Sequence, residues 1–393
     1  MIKISIITVV LNGAKTIERA IKSVIDQHYD NVEYIIIDGG STDGTVDIIK
    51  KYESYITYWI SEPDDGIYSA MNKGLKHATG KYVNFLNSDD WFEGDVLGKV
   101  ADYIEITDAD VVYGDYNRVL YDGTKIRVDS RPLDYMNVSI PFCHQSVFVR
   151  KNLAHDFDES YKIAADYKML LDFYNDNRTF CYLPYVISNY KSGGVADKGT
   201  YNTFEELSII AAEGLVKSVD RVAVYGPIVL ENLIIAEINK KIISGLNHNL
   251  IMRYFDERIN NVDDGEIVLF GMGELLNKYY KLIERNIKRI RYFVDNDISK
   301  EGTYVLGKEV HLPGILRKEE KLSVIILNER YCYEIERQLE DMNLSSSVKV
   351  YNYVDLKRDY IKREGTRILG ELSQKNECIK TLYEMVRSTR QRL

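Results

Sequence analysis

The sequence predicts an α/β protein made of two parallel-sheet units with a helical stretch between them. Three observations carry this. Short apolar, β-branched runs at Ile4–Val10, Tyr34–Ile37, Tyr58–Ile60 and Tyr82–Leu86 alternate with helix-period segments, the pattern of strands covered on both faces by crossover helices. From 201 to 259 the strand-like runs stop and helix formers dominate, interrupted at Gly226-Pro227. After Asp263-Asp264-Gly265 the alternation resumes, with strands at Ile267–Phe270, Tyr292–Val294, Val324–Leu327 and Val348–Tyr351. The expected domains are therefore 1–200, a connector at 201–261, a smaller α/β domain at 262–352, and a terminal helix at 353–393.

Composition narrows the function classes. A net charge of −9 argues against nucleic acid as a partner. Cys143, Cys181, Cys332 and Cys378 form no CxxC pair, which argues against structural zinc or a disulfide framework and fits a reducing cytoplasm. No run of eighteen apolar residues is present, so no membrane span is expected. Ile4–Leu11 is too short for a signal peptide, lacks a basic flank, and reads as a strand.

The first unit can be followed element by element. Ile17, Ala20, Ile21, Val24 and Ile25 mark an amphipathic helix after the first strand. The second strand delivers Asp38 at its carboxyl end, where open α/β sheets bind ligands. Ser41 and Asp43 are helix-start residues, and the next helix runs through Val46, Ile49 and Tyr52. Ile67, Ala70, Met71, Gly74, Leu75 and Ala78 recur at helical spacing, and Thr79-Gly80 stops that helix. Tyr82–Leu86 then ends in Asn87-Ser88-Asp89-Asp90. Two adjacent carboxylates after a buried strand are costly neighbours without a cation, and Mg²⁺ or Mn²⁺ sites join such carboxylates to substrate phosphates. The alternative is a solvated turn capping a helix.

Strand, Asp38-Gly39-Gly40-Ser41-Thr42-Asp43-Gly44-Thr45, helix, Glu62-Pro63-Asp64-Asp65-Gly66, helix, strand, Asn87-Ser88-Asp89-Asp90: this series resembles the family 2 glycosyltransferases with the GT-A fold, over about the first half of the chain. The resemblance implies a nucleotide-sugar donor, often UDP-linked. It implies that Thr8, Val10, Asp38 and Asp65 line the base and ribose pocket, and that Asn72, Asn87, Ser88 and Asp90 belong to the donor site. It further implies a divalent cation, Mn²⁺ or Mg²⁺, held by Asp89 against the diphosphate. The family's usual form has Asp where this chain has Asn87, and many members carry Arg-Asn where it has Met71-Asn72. Family membership also implies a single inverting displacement onto a saccharide or lipid-linked acceptor. Sequences of this style build capsule, O-antigen or exopolysaccharide at the cytoplasmic membrane face.

Beyond Asp90, Trp91-Phe92 opens a loop, Val96–Ile104 reads as helix and Asp110–Tyr113 as strand. Arg118–Val128 reads as a hairpin turning at Tyr121-Asp122-Gly123-Thr124. His144, just before an apolar strand, contacts the diphosphate, the metal or an acceptor hydroxyl, or else is a hydrogen-bonded core histidine. Asp166 opens a helix whose apolar face includes Met169, Leu170 and Phe173. A carboxylate there can take an acceptor hydroxyl's proton, and the family places its base in an acidic motif, commonly Glu-Asp, where this chain has Ala165-Asp166. An N-cap role is the plain alternative, and Asp158 and Glu159 are weaker candidates for the base. Tyr182–Tyr190 is a further strand, followed by a Lys191-Ser192-Gly193-Gly194-Val195 segment.

In the smaller domain, Gly271-Met272-Gly273-Glu274 with Asp295 resembles a degraded Rossmann fingerprint. Leu276 replaces the third glycine, and Glu274 opposes a pyrophosphate, so a scaffold or assembly role is expected there. Ile368, Leu372, Ile379, Leu382 and Met385 give the terminal helix a stripe for self-association, and its basic end, Arg387 to Arg392, offers peripheral contact with anionic lipid. Two other function classes fit the sequence less well. A non-catalytic assembly protein would not need Asp38, Asp89, Asp90 and Asp166 together. A sugar nucleotidyltransferase needs an N-terminal Gly-rich loop with basic residues, where this chain has TVVLNG.

Overall fold

The computed structural model describes residues 1–194, 200–243, 266–271, 273, 283–284, 287–327 and 331–390. The chain divides into two compact units, Met1–Ala236 with Glu371–Leu393, and Glu237–Gly370.

The first unit opens with β1 (Ile4–Val10), α1 (Ile17–Ile25), β2 (Val32–Asp38), α2 (Thr45–Lys51), β3 (Tyr58–Ser61), α3 (Ile67–His77) and β4 (Tyr82–Phe85). It continues through β5 (Trp91–Phe92), α4 (Leu97–Thr107), β6 (Val111–Val119), β7 (Lys125–Val128), β8 (Val147–Arg150), α5 (Ala165–Asn175), β9 (Phe180–Lys191), α6 (Thr200–Val216) and α7 (Val219–Ile243). The sheet order is β3-β2-β1-β4-β8-β6-β9-β5, with β7 paired to β6. β1 to β4 are mutually parallel, whereas β8 is antiparallel to both β4 and β6. Every residue of β1 is buried, which explains its unbroken apolar run. Gly74 lets α3 lie directly on β1, because a Cβ there would fall 2.4 Å from Cγ2 of Ile7.

This topology gathers the chemistry at one sheet edge. The parallel strands β1, β2 and β4 all deliver their carboxyl ends to it, with Val10 beside Asp38 and Asp38 beside Ser61. The antiparallel pairing of β8 with β4 brings the residues before β8 to the place where β4 ends. Buried Asn84 on β4 fixes that approach, its amide donating to the backbone carbonyls of Gln145 and Val147 at 2.9 Å each.

Three local readings change. Trp91-Phe92 is a short strand pairing antiparallel with β9 rather than the start of a loop. α7 runs through Pro227, since burying Val229, Leu230, Leu233 and Ile234 outweighs the roughly 3 kcal/mol an interior proline costs. The terminal segment is two helices, α9 (Tyr353–Lys375) and α10 (Glu377–Arg390), broken at Asn376. The Asn376 side-chain oxygen accepts from the backbone of Cys378 and Ile379, a cap that starts α10.

The expected self-association stripe is covered within the chain. Ile368, Leu372, Ile379 and Leu382 are buried and Met385 is half-buried. α10 lies on α7 at Gly226, where a Cβ would come within 2.6 Å of Val386 and 3.5 Å of Leu382. Of the basic end, Gln391, Arg392 and the final Leu393 lie outside the described residues.

The second unit contains β10 (Glu266–Phe270), β11 (Ile290–Val294), β12 (Tyr304–Val305), β13 (Lys308–His311), β14 (Leu322–Ile326), α8 (Cys332–Asp341) and β15 (Lys349–Asn352). Its sheet order is β12-β13-β11-β10-β14-β15, parallel except for β12. The β12–β13 hairpin escaped sequence reading because Leu306, an unusual turn residue, takes a left-handed φ of 51° beside Gly307. Of the degraded fingerprint, Met272, Glu274 and Leu276 lie outside the described residues, as do 195–199, the 244–261 part of the connector and 262–265. Asp295 follows β11 and pairs with Lys300 at 3.0 Å.

Candidate active site

The acidic turn after β4 is held from behind by α1. Arg19 and Ser23 lie four residues apart on one face of α1, and Gln27 follows two residues past its end, its amide donating to the Ser23 carbonyl at 2.8 Å. The Arg19 guanidinium stacks 3.5 Å from the Trp91 ring centroid and donates to the Asp89 carbonyl at 2.9 Å. Ser23 Oγ accepts from the Phe92 N–H at 3.2 Å. The Gln27 amide oxygen accepts from the N–H groups of Val96 and Leu97, and its nitrogen donates to the Gly94 carbonyl at 2.7 Å. The stretch from Asp89 to Leu97 is therefore fixed by side chains, not by a sheet ladder alone.

The two adjacent acids have separate tasks. Asp90 is buried and accepts from Gln145 Nε2 at 2.5 Å and from the Lys191 N–H at 2.8 Å. Burial, and next the Asp89 carboxylate beside it, push its pKa well up. It joins the turn to the end of β9, and burial closes its carboxylate to a ligand. Asp89 is half-buried, and its carboxylate takes no hydrogen bond or ion pair among the described residues. Ser88 faces the β1–α1 loop, its Oγ 3.3 Å from where a Cβ on Gly13 would lie. The Asn87 side-chain amide meets His144 Nε2 at 3.3 Å, through its oxygen when the imidazole is cationic and through its nitrogen when the imidazole is neutral with Nε2 unprotonated.

Asp166 completes the constellation. α5 has Ala164 as its N-cap residue, with no side-chain cap bond. Asp166 is thus a first-turn residue and not the N-cap. Its Oδ2 lies 3.0 Å from His144 Nδ1, and its Oδ1 accepts from the buried Tyr68 hydroxyl at 3.2 Å. Tyr68, Asp166, His144 and Asn87 form one hydrogen-bonded row. Burial alone would lower the His144 pKa, but Asp166 overrides it and the net shift is upward. Burial would likewise raise Asp166, but the cationic His144 beside it brings it below its ordinary value.

These shifts fix the sign of a pH effect. His144 is raised above its ordinary 6.5, so its pairing contributes stability that is fully present below about pH 6.5 and lost as pH rises through the raised value. Asp166 is depressed, so its contribution fades only as pH falls through the acid range. The unfolding midpoints of wild type and His144→Gln should therefore differ most in mildly acidic buffer and converge as pH rises. A difference constant through the neutral and alkaline range would exclude the ion pair.

Several residues expected at the donor pocket are used elsewhere. Thr8 is fully buried and accepts from the Tyr34 hydroxyl at 3.2 Å, and Val10 belongs to the hydrophobic core. Both support β1 from inside. Asp38 stands at the right edge but is buried, its carboxylate accepting from the Gly40 and Ser41 N–H groups and from the hydroxyls of Ser41 and Ser61. It shapes the loop after β2. Asn72 spends its whole amide on the segment before α5, bonding both N–H and C=O of Phe157 and Glu159 Oε1. Asp65 is exposed, while Asp64 turns inward over Gly39.

Arg19, Tyr68 and Gln145 escaped sequence reading. Arg19 and Tyr68 sit inside ordinary amphipathic helices, and only the spacing of Arg19 with Ser23 and Gln27 carried a signal. Gln145 had none beyond standing beside His144.

Residues 5–172 match a family model described as Glycosyl transferase family 2, and residues 264–351 one described as C2185-like, N-terminal. Over 202 residues the chain is 33% identical to a PGL/p-HBAD biosynthesis glycosyltransferase of Mycobacterium bovis (strain BCG / Pasteur 1173P2), covering 48% of this chain and 77% of that protein. Over 101 residues it is 43% identical to an uncharacterized glycosyltransferase of Mycobacterium tuberculosis (strain CDC 1551 / Oshkosh), covering 25% of this chain and 38% of that one. Among solved structures, S. aureus TarS 1–349 in complex with UDP-GlcNAc is 18% identical with a TM-score of 0.47, covering 74% of this chain and 84% of that one.

Proposed function

The chain belongs to the family 2 glycosyltransferases, and from that membership we propose an inverting, divalent-cation-dependent transfer of a hexose from a nucleotide-sugar, UDP-linked, to an acceptor hydroxyl. The observation that carries this is the row Asn87–His144–Asp166, which ties the acidic turn after β4 to a carboxylate 79 positions beyond Asn87. Donor-side and acceptor-side chemistry thereby meet at one sheet edge of the GT-A fold.

The residues present fit a hard cation. The Asp89 carboxylate is uncommitted among the described residues, and no all-protein cluster of three acidic, His or Cys ligands is described. Mg²⁺ and Mn²⁺ take one or two carboxylates and leave their other positions to phosphate and water. Bound there, the cation offsets the charge that develops on the departing diphosphate.

Asp166 holds the acceptor's proton. Of the about four acceptor sites of a carboxylate, His144, Tyr68 and the Tyr167 N–H take three, so one remains to accept from a hydroxyl as that oxygen attacks C1 and the C1–diphosphate bond breaks. His144 keeps the carboxylate oriented. Its positive charge also stabilises the ionised form that must be present before transfer begins. Asp90 and Gln145 keep the turn and β9 together while this happens.

The acceptor in this proposal is a saccharide or lipid-linked sugar of bacterial surface polysaccharide, met at the inner face of the membrane. No helix among the described residues is long and apolar enough to cross a membrane, so contact with such an acceptor would be peripheral. A thermal-shift panel of UDP, GDP, dTDP and CMP, each with and without Mn²⁺, tests the donor assignment. UDP should give the largest metal-dependent shift; an equal shift for all four, or none with metal, would remove it.

A further inference from the structure

Three consecutive backbone N–H groups before α5 point to a single side chain from another helix. Glu206, on α6, accepts from Lys162 N at 2.9 Å through Oε1, and from Ile163 N at 2.8 Å and Ala164 N at 3.1 Å through Oε2. Seven residues on, and so on the same helical face, Glu213 accepts from the Tyr161 hydroxyl at 2.8 Å. α6 thus grips residues 161–164 with two carboxylates, and Asp166 follows two positions later.

The energetics favour this as a fixing point. Runs of N–H groups in a turn form a small anion-binding concavity, and a carboxylate accepting backbone N–H bonds makes them roughly twice as strong as neutral ones. A negative group at the start of α5 also complements the helix dipole. Asp166 has its own constraints at the far side, from His144 and Tyr68. Its backbone is set by Glu206 and its carboxylate by that pair. Glu206 lies beyond residues 5–172, the stretch the family model covers.

We propose that Glu206 is a positioning residue for the base, so that α6 is part of the catalytic unit and not a passive connector. Glu206 touches neither donor nor acceptor in this scheme. It sets where the Asp166 carboxylate stands relative to the attacking hydroxyl, and displacing a reacting group by about 1 Å costs on the order of 10²-fold in rate.

The inference rests on Asp166 being the base, and the test separates the two. UDP release from UDP-glucose, UDP-galactose and UDP-N-acetylglucosamine, with water as acceptor, is measured for wild type, Glu206→Ala, Glu206→Gln and Asp166→Asn. UDP affinity with Mn²⁺ is measured by calorimetry alongside. Glu206→Ala should lower kcat by about 10–10²-fold with donor KM and UDP affinity unchanged. Glu206→Gln, which keeps the acceptor oxygen without the charge, should recover most of that loss while staying several-fold below wild type. If the Ala variant does not fold, the Gln variant decides alone: a several-fold fall in kcat at unchanged UDP affinity and melting temperature supports the role. Wild-type kcat in either variant overturns it, as does a loss of kcat that follows loss of UDP affinity. Wild-type release by Asp166→Asn would instead overturn the base assignment itself.

Discussion

Asp166→Asn is expected to reduce transfer by about 10²–10⁴-fold, the usual contribution of a positioned general base, with the loss falling on turnover and not on donor affinity. The amide keeps the shape and can still accept from Tyr68, but it cannot take a proton. It also removes the negative partner of His144 at 3.0 Å. His144 then loses what holds its pKa up, and a neutral imidazole can accept from the new amide N–H at Nδ1 while its Nε2–H donates to the Asn87 amide oxygen. The row can therefore close without charge, and the fold should survive. Because the N-cap of α5 is Ala164, the variant carries no capping penalty that might mimic a catalytic one. Near-normal transfer would return the role to Asp158, Glu159 or His144. Asp158 caps its own turn at the Ser160 N–H and Glu159 is bonded by Asn72, which leaves His144 as the stronger of the three.

Asp89→Ala should abolish the effect of Mn²⁺ on UDP binding while leaving the unfolding midpoint near wild type. The carboxylate has no intramolecular bond to lose among the described residues, whereas the Asp89 carbonyl that Arg19 holds is unchanged by the substitution. Several kcal/mol of transition-state stabilisation normally attend such a cation, so turnover should fall by about 10³-fold or more. Asp90→Ala is the informative contrast. It would break the link from Gln145 to Lys191 inside the protein, so its loss should appear in stability as well as turnover. Calorimetry with UDP, run with and without Mn²⁺, decides the first case. An undiminished metal response in Asp89→Ala would refute the metal assignment.

The parallel half of the first sheet was legible because β1, β2 and β4 are buried on both faces and therefore written as largely apolar runs. Asp38, Asn87, Asp89 and Asp166 were legible by position, at the ends of such runs or the start of a helix. What the sequence concealed is direction. Thr8 and Val10 differ from pocket residues only in which way a strand turns them, and both turn into the core. The difference between Asp89 and Asp90 is likewise one of orientation, set by Gln145 and Lys191 far along the chain. The row from Tyr68 to Asn87 depends on pairing β8 antiparallel to β4, a long-range register that no local pattern encodes. The terminal stripe was read correctly as apolar. The partners of its last helix, α6 and α7 of the same chain, were not visible from the periodicity of one helix.

The face of α1 that carries Arg19 and Ser23, with Gln27 just past the helix end, places a rule on how this chain can change in length. Each residue of an α-helix advances about 100° around the axis. One residue added or removed between Arg19 and Gln27 would swing some of the three anchors away from the others, and the stretch from Asp89 to Leu97 would lose its common support. Substitutions on the outward side of α1, at Lys22, leave that geometry alone. Insertions and deletions between Arg19 and Gln27 should thus be as damaging as changes in the acidic turn itself.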